Sequence, residues 1–343
     1  MAATRLGDPG LLDTYGRRAV DLRVSLTDRC NLRCTYCMPA EGLPWLANDA
    51  LLRPEEILRL IRIAVTRLGV TDVRFTGGEP LLRRDLEDLI AGTAELRTAG
   101  GTRPAIAMTT NGIGLDRRAA GLKLAGLDRA TVSLDTLQPD RFAAMTGRAR
   151  HAEAVAGIEA AVAAGLGPVK LNAVLLRGIN DDEAADIVEW SCARDVEARF
   201  IEQMPLESHG TWSRDQMVTQ EEILGTLRLA FDLTEVPVRG SAPAQRWWVH
   251  RHGARLGSVG VIASVTAPFC GDCDRTRLTA DGQVRSCLFA RTETDLRGLL
   301  REDKTDEELA DAWRVAMWGK LPGHGIDDPS FLRPQRPMSA IGG

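Results

Sequence analysis

Aromatic residues are scarce in this chain, at 5% of 343 residues with only two tyrosines. Its core must therefore lean on leucine, valine, isoleucine and alanine. No apolar run is long enough to span a bilayer, and Met1 to Gly10 lacks an apolar signal segment. The cytoplasm is the expected location, where thiols stay reduced. The seven cysteines then read as ligands, nucleophiles or small core residues before disulfides. A basic excess is missing too: 43 Lys and Arg stand against 47 Asp and Glu, a net charge of −4. That balance argues against general nucleic-acid binding and still allows a local basic pocket. The chain also lacks the Gly-x4-Gly-Lys-Ser/Thr cradle usual for a triphosphate.

What the chain does have is a strand–helix rhythm. Strand-like runs fall at Val20–Leu26, Asp72–Thr76, Ala105–Thr109, Ala130–Leu134, Val169–Leu175 and Ala198–Met204. Helical stretches lie between them, at Pro54–Leu68, Arg84–Leu96, His151–Ala164 and Asp182–Arg194. Pro54 followed by two glutamates marks the first of these starts, and Gly69 its end. Alternation of this kind predicts a parallel sheet with right-handed crossovers. About six repeats suit an open sheet or a partial barrel, and periodicity alone does not choose. After about Glu235 the strands become short and Gly- and Pro-interrupted, so residues 1–234 and 235–343 are expected to form a large β/α domain and a smaller module. The polar words all follow strands, where sites assemble in parallel α/β folds.

Two groups of cysteines carry the chemistry. Cys30-x3-Cys34-x2-Cys37 puts three soft thiolates close together, and Cys270-x2-Cys273 with Cys287 repeats the device. No histidine follows either group closely, so a four-ligand zinc site lacks its fourth member. Three thiolates on a four-iron cluster leave one iron open to a small molecule. Zinc and redox thiols remain as alternatives at this stage. Arg275 and Arg277 flank Thr276 at period-two spacing, one face of a strand, and arginine suits phosphate. Cys192, between Trp190 and Val196, reads as core.

The first cysteine word, with Tyr36 inside it and Thr76-Gly77-Gly78-Glu79-Pro80 after the second strand, resembles the radical S-adenosylmethionine superfamily. The wider pattern, from Arg74 through Thr109-Thr-Asn-Gly, Lys170-Leu-Asn172, Phe200-Ile-Glu-Gln-Met204, the second cysteine group and a Gly-Gly end, resembles the MoaA family of GTP 3′,8-cyclases. The resemblance runs from about Asp21 to Gly343. Its departures are an extended Thr98–Pro104 segment and Gln203, where an apolar or aromatic residue is commoner.

The resemblance implies a partial parallel β/α barrel with a C-terminal cluster module, and conversion of GTP to a 3′,8-cyclised nucleotide in molybdenum-cofactor biosynthesis. It implies two [4Fe–4S] clusters, on Cys30, Cys34 and Cys37 and on Cys270, Cys273 and Cys287. S-adenosylmethionine would meet Tyr36, Gly78, Ser133 and Met204. GTP would meet Arg23, Arg74, Thr109, Lys170, Arg275, Thr276 and Arg277. Arg275, Arg277, Gly342 and Gly343 would act in catalysis. The partners implied are a flavodoxin- or ferredoxin-like electron donor, MoaC as the enzyme receiving the product, and a second copy in a homodimer. A rival reading is a twin-cluster enzyme that modifies a peptide. A second is a zinc-stabilised nucleic-acid module.

Overall fold

The structure, a computed structural model, describes residues 9–206 and 212–342. Six strands appear where the alternation places them: β1 (Asp21–Ser25), β2 (Asp72–Thr76), β3 (Ala105–Thr110), β4 (Arg129–Ser133), β5 (Lys170–Val174) and β6 (Glu197–Ile201). Between them lie α1 (Pro54–Arg67), α2 (Leu86–Ala94), α3 (Leu115–Ala125), α4 (Pro139–Thr146), α5 (His151–Ala163) and α6 (Ala184–Cys192). Helix α1 begins in a capping box: the Arg53 N–H donates to Glu56 Oε2 at 2.8 Å, and Pro54 supplies a helical φ where no backbone donor is needed. The strand pattern alternates buried and partly buried residues. Leu22, Val24, Val73, Phe75, Leu171 and Phe200 turn to the helices and form one core with Ile57, Leu60, Ile61 and Ala64 of α1. All of them are nearly inaccessible to solvent. Covering that face with helices is what a parallel sheet requires.

The later segment adds α7 (Gln220–Arg228), β7 (Asp232–Glu235), β8 (Gln245–Arg251), β9 (Ala254–Ile262), β10 (Arg275–Leu278), β11 (Gln283–Arg285), β12 (Thr294–Asp295), α8 (Leu296–Arg301), α9 (Asp306–Trp318) and α10 (Met338–Ile341). The sheet runs β12-β11-β10-β1-β2-β3-β4-β5-β6-β9-β8-β7. Strand β10 pairs parallel to β1, and β9 pairs parallel to β6. The parallel stretch therefore holds eight strands, two more than the repeats suggest, and its hydrogen bonding continues past residue 235 on both flanks. The extra two were unreadable as parallel partners because no β/α repeat announces them. The order is linear, so the sheet does not close on itself. Even so, the charged face opposite the helices is largely screened from solvent: the side chains of Arg23, Arg199 and Arg275 are 12–13% exposed. A flat sheet would leave that face wet, and the strands instead wrap it into a partial barrel.

The C-terminal helices are tied to the first helix. Arg59 donates to Asp306 Oδ1 at 2.9 Å, and Arg301 donates to Glu56 Oε1 at 3.1 Å. Trp313, fully buried in α9, gives its indole N–H to Thr276 Oγ1 at 2.9 Å.

Candidate active site

The strand alternation that points leucines outward points cations into the barrel. In register, Arg277, Arg23 and Arg74 occupy adjacent strands β10, β1 and β2. Arg275 sits opposite Asp21, and Lys170 sits opposite Glu197, two residues from Arg199. The Arg74 guanidinium spans β3 to reach Thr131 Oγ1 at 3.2 Å, with Thr109 Oγ1 at 3.4 Å. Carboxylates on this face are fewer than cations. Burial opposes ionisation of Asp21, yet Arg23, Arg275, Arg74 and Arg277 together hold its carboxyl below the usual range. Burial pulls Lys170 down to about 7, with Arg199, Arg74 and Arg129 repelling it further and Glu197 opposing. Burial and mutual repulsion also depress Arg74, Arg275 and Arg277. Several buried atoms in this row have no hydrogen-bond partner among the described residues: Nε of Arg23, Arg74 and Arg275, Oδ1 of Asp21 and Oδ1 of Asn172. Buried polar groups normally find partners. A buried row of crowded cations with unmet donors fits a polyanion.

At the C-terminal end of the strands lie Cys30, Cys34 and Cys37. Burial raises all three thiols, Cys37 to about 12, and the neighbouring carboxylates Glu79 and Asp135 raise them further. Cys34 also feels Cys37 and Cys30. Three mutually repelling buried thiolates need a cation to take their charge, which is the donor set of an iron–sulfur cluster. Backbone N–H groups serve the sulfurs: Leu32 donates to Cys30 Sγ at 3.5 Å, and Ser339 donates to Cys37.

The loops around this end are pinned by acids that the sequence reading had not assigned to the site. Glu79, with no exposed surface, accepts from Leu81 N at 2.9 Å, Thr110 Oγ1 at 2.7 Å and Asn111 N at 2.7 Å. It thereby fastens the β2 loop to the β3 loop. Asp135 accepts the Tyr36 hydroxyl at 2.7 Å and Val174 N at 2.8 Å, and burial pushes it up to about 6. Glu202 accepts from Gln220, Val265 and Thr266 N–H groups, each at 2.9 Å. The signal was available, because each acid lies within three residues of a strand's C-terminal end. At Gly78 a side chain would stand 2.3 Å from Arg29 O and 2.5 Å from Asp28 O, so only glycine permits the two loops to meet. Ser133 ends β4, and half-buried Met204 follows β6, its carbonyl accepting from Leu206.

The second thiol group lies at the other end of the strands. Cys270 and Cys273 precede β10, and Cys287 follows antiparallel β11. The carbonyl of Cys270 accepts from Arg17 at 2.6 Å, and Lys320 contacts Cys273. Between the two groups the tail enters the barrel. Arg336 holds Asp281 with both terminal nitrogens, at 3.0 and 2.8 Å. After the short α10, the Gly342 carbonyl accepts from Arg277. Gly342 has φ +87°, and a side chain there would lie 2.8 Å from Ser25 Cβ. Gly343 lies outside the described residues. Cys192 packs partly buried against the core.

Known proteins share this organisation. The Radical SAM superfamily profile matches residues 24–191, and the Molybdenum Cofactor Synthesis C profile matches residues 196–326. A GTP 3′,8-cyclase of Streptomyces coelicolor is 60% identical over 100% of this chain and 99% of its own length. The GTP 3′,8-cyclase of Corynebacterium glutamicum is 58% identical over 98% of this chain and 90% of its own. The chain belongs to the GTP 3′,8-cyclase family. Among solved structures, Streptococcus suis SuiB bound to S-adenosylmethionine is similar with a TM-score of 0.61, at 13% identity, over 88% of this chain and 67% of that one. At that identity the likeness speaks for the fold alone. It is the fold expected of a family member, an α/β partial barrel with a mostly parallel sheet. No helix among the described residues is long and apolar enough to cross a membrane.

Proposed function

We infer that this chain converts GTP to 3′,8-cyclo-7,8-dihydroguanosine triphosphate, in molybdenum-cofactor biosynthesis, with S-adenosylmethionine and [4Fe–4S] clusters as cofactors. The observation that carries the reading is the cation row of Arg277, Arg23, Arg74 and Lys170 running between two separate groups of three thiols. Cys30, Cys34 and Cys37 would hold one cluster, and Cys270, Cys273 and Cys287 the other. When bound, these groups and S-adenosylmethionine supply the one-electron chemistry that removes a substrate hydrogen.

The chain's own part is placement. Tyr36, Gly78, Ser133 and Met204 line the end nearest the first thiols and would receive S-adenosylmethionine. Gly78, without a side chain, lets the loops after β1 and β2 meet at this end. Arg23, Arg74, Thr109 and Lys170 would hold the triphosphate, and Arg275 and Arg277 the nucleoside. Thr276 turns toward Trp313, so its contribution is to fix β10. Holding C3′ over C8 converts ring closure to an oriented intramolecular step, and the enclosed lumen keeps water from the reactive carbon. Gly342, bonded to Arg277, would complete the wall, with Gly343 beyond it. Residues 1–234 would carry the S-adenosylmethionine end and 235–343 the substrate-side cluster.

We place the enzyme in the cytoplasm, with a flavodoxin- or ferredoxin-like donor, MoaC as the recipient of the product, and a homodimer as its assembly. The test is anaerobic reconstitution with GTP, S-adenosylmethionine and dithionite, followed by mass spectrometry. Equal yields of 5′-deoxyadenosine and a cyclised nucleotide are expected. Deoxyadenosine with GTP left intact would favour a peptide substrate instead.

A further inference from the structure

Lys320 follows α9 and turns inward until only 3% of it is exposed. Its ammonium donates to Cys273 O at 2.9 Å, Arg275 O at 2.9 Å and Cys273 Sγ at 3.3 Å. All three N–H bonds are thus committed, and one ends on a thiol. The two thiol groups differ in what faces them. Glu79 and Asp135 stand beside the first. Lys320 and Arg275 stand beside Cys273, and Arg17 beside Cys270.

We propose that Lys320 sets the electron affinity of the cluster held by Cys270, Cys273 and Cys287, through an ammonium–thiolate hydrogen bond to Cys273. The proposal rests on the reading of those thiols as cluster ligands. A cluster gains one negative charge when reduced. A fixed cation in contact with its ligand, in surroundings that screen poorly, favours the charged form. Lys320 therefore raises the reduction potential of this cluster, while the acids beside the first thiol group act in the opposite sense. The two clusters are held apart in potential by the opposite charges that stand beside their ligands. Lys320 is a positioning residue, since it reaches the ligand and not the substrate.

The test is an anaerobic redox titration followed by electron paramagnetic resonance. It uses the full chain carrying Cys30→Ala, Cys34→Ala and Cys37→Ala, so that only the second cluster reports. Lys320→Gln keeps donors for the two carbonyls and removes the charge, and Lys320→Arg keeps the charge. The expected result is a lower potential for Lys320→Gln and a near-native one for Lys320→Arg, with iron content equal to the parent. An unchanged potential at full iron content would reduce Lys320 to a cap on two carbonyls and overturn the proposal. Should Lys320→Gln fail to take up iron, the parent chain labelled with ¹⁵N-lysine decides: the reduced cluster should show a hyperfine coupling to one lysine nitrogen, and its absence overturns the proposal. A parent chain that binds no iron at all would instead sink the ligand reading beneath it.

Discussion

Lys170 shows how one residue's titration reports on the whole lumen. Burial and the neighbouring arginines pull its ammonium down to about 7. A bound triphosphate would restore the charge, so binding above that pH takes up a proton. The sign follows: GTP affinity should fall as pH rises, by up to about tenfold per unit between roughly pH 7.5 and 9. Equilibrium dialysis with the anaerobic protein measures this, and Lys170→Met should bind more weakly with a flat profile over the same range. A wild-type profile with no slope would remove Lys170 from the phosphate site. At this scale type and spacing announce the two cysteine groups and the Arg275–Arg277 pair, whereas Arg23, Arg74 and Lys170 are singled out only by the family resemblance. Arg199 could have been found too, since it shares the inward parity of its strand with Glu197. Lys320 and Arg17 were not legible. Each is a lone cation in a turn or loop, and only folding brings it to a cysteine.

The tail and α9 are the elements that set the second end of the barrel. Gly342 sits against Ser25 and Thr76, with a side-chain position 3.1 Å from Thr76 Cγ2 and a positive φ. Gly342→Ala should therefore unseat the tail while leaving the sheet intact. Iron content and binding of S-adenosylmethionine should stay near wild type as GTP cyclisation falls sharply in single turnover. Arg336→Ala, which frees the anchoring pair with Asp281, should do the same more mildly. Unchanged cyclisation in both would make the tail a bystander. For α9, Trp313→Ala removes a fully buried indole and its bond to Thr276. A loss of about 3–5 kcal/mol is expected, read by chemical denaturation under argon. The α3 and α4 helices escaped the sequence reading because short amphipathic stretches between strong strand signals leave little pattern to read.

For the molecule as a whole, the two flanks of the six-repeat sheet are closed by strands from beyond residue 235. A chain ending at Glu235 would leave β1 and β6 each without a partner on one side, presenting bare edges that invite association. We expect residues 1–235 alone to aggregate or to lose the cooperative unfolding of the full chain, as seen by sedimentation and circular dichroism. A soluble, cooperatively melting fragment would show that the barrel stands by itself. The repeat count foretold the fold class, while the pairing of β9 and β10 depended on contacts distant in sequence. The inward parity of the cations carries one more consequence, for how this gene can change length. Deleting one codon inside β1 would turn Arg23 toward the helices and Leu22 or Val24 into the lumen, inverting every later side chain of that strand. Loss of one codon from the exposed run at residues 99–103 shifts no pleat. Length variation among descendants of this chain should therefore accumulate in such loops and be purged from the strands, even where each individual substitution in a strand is mild.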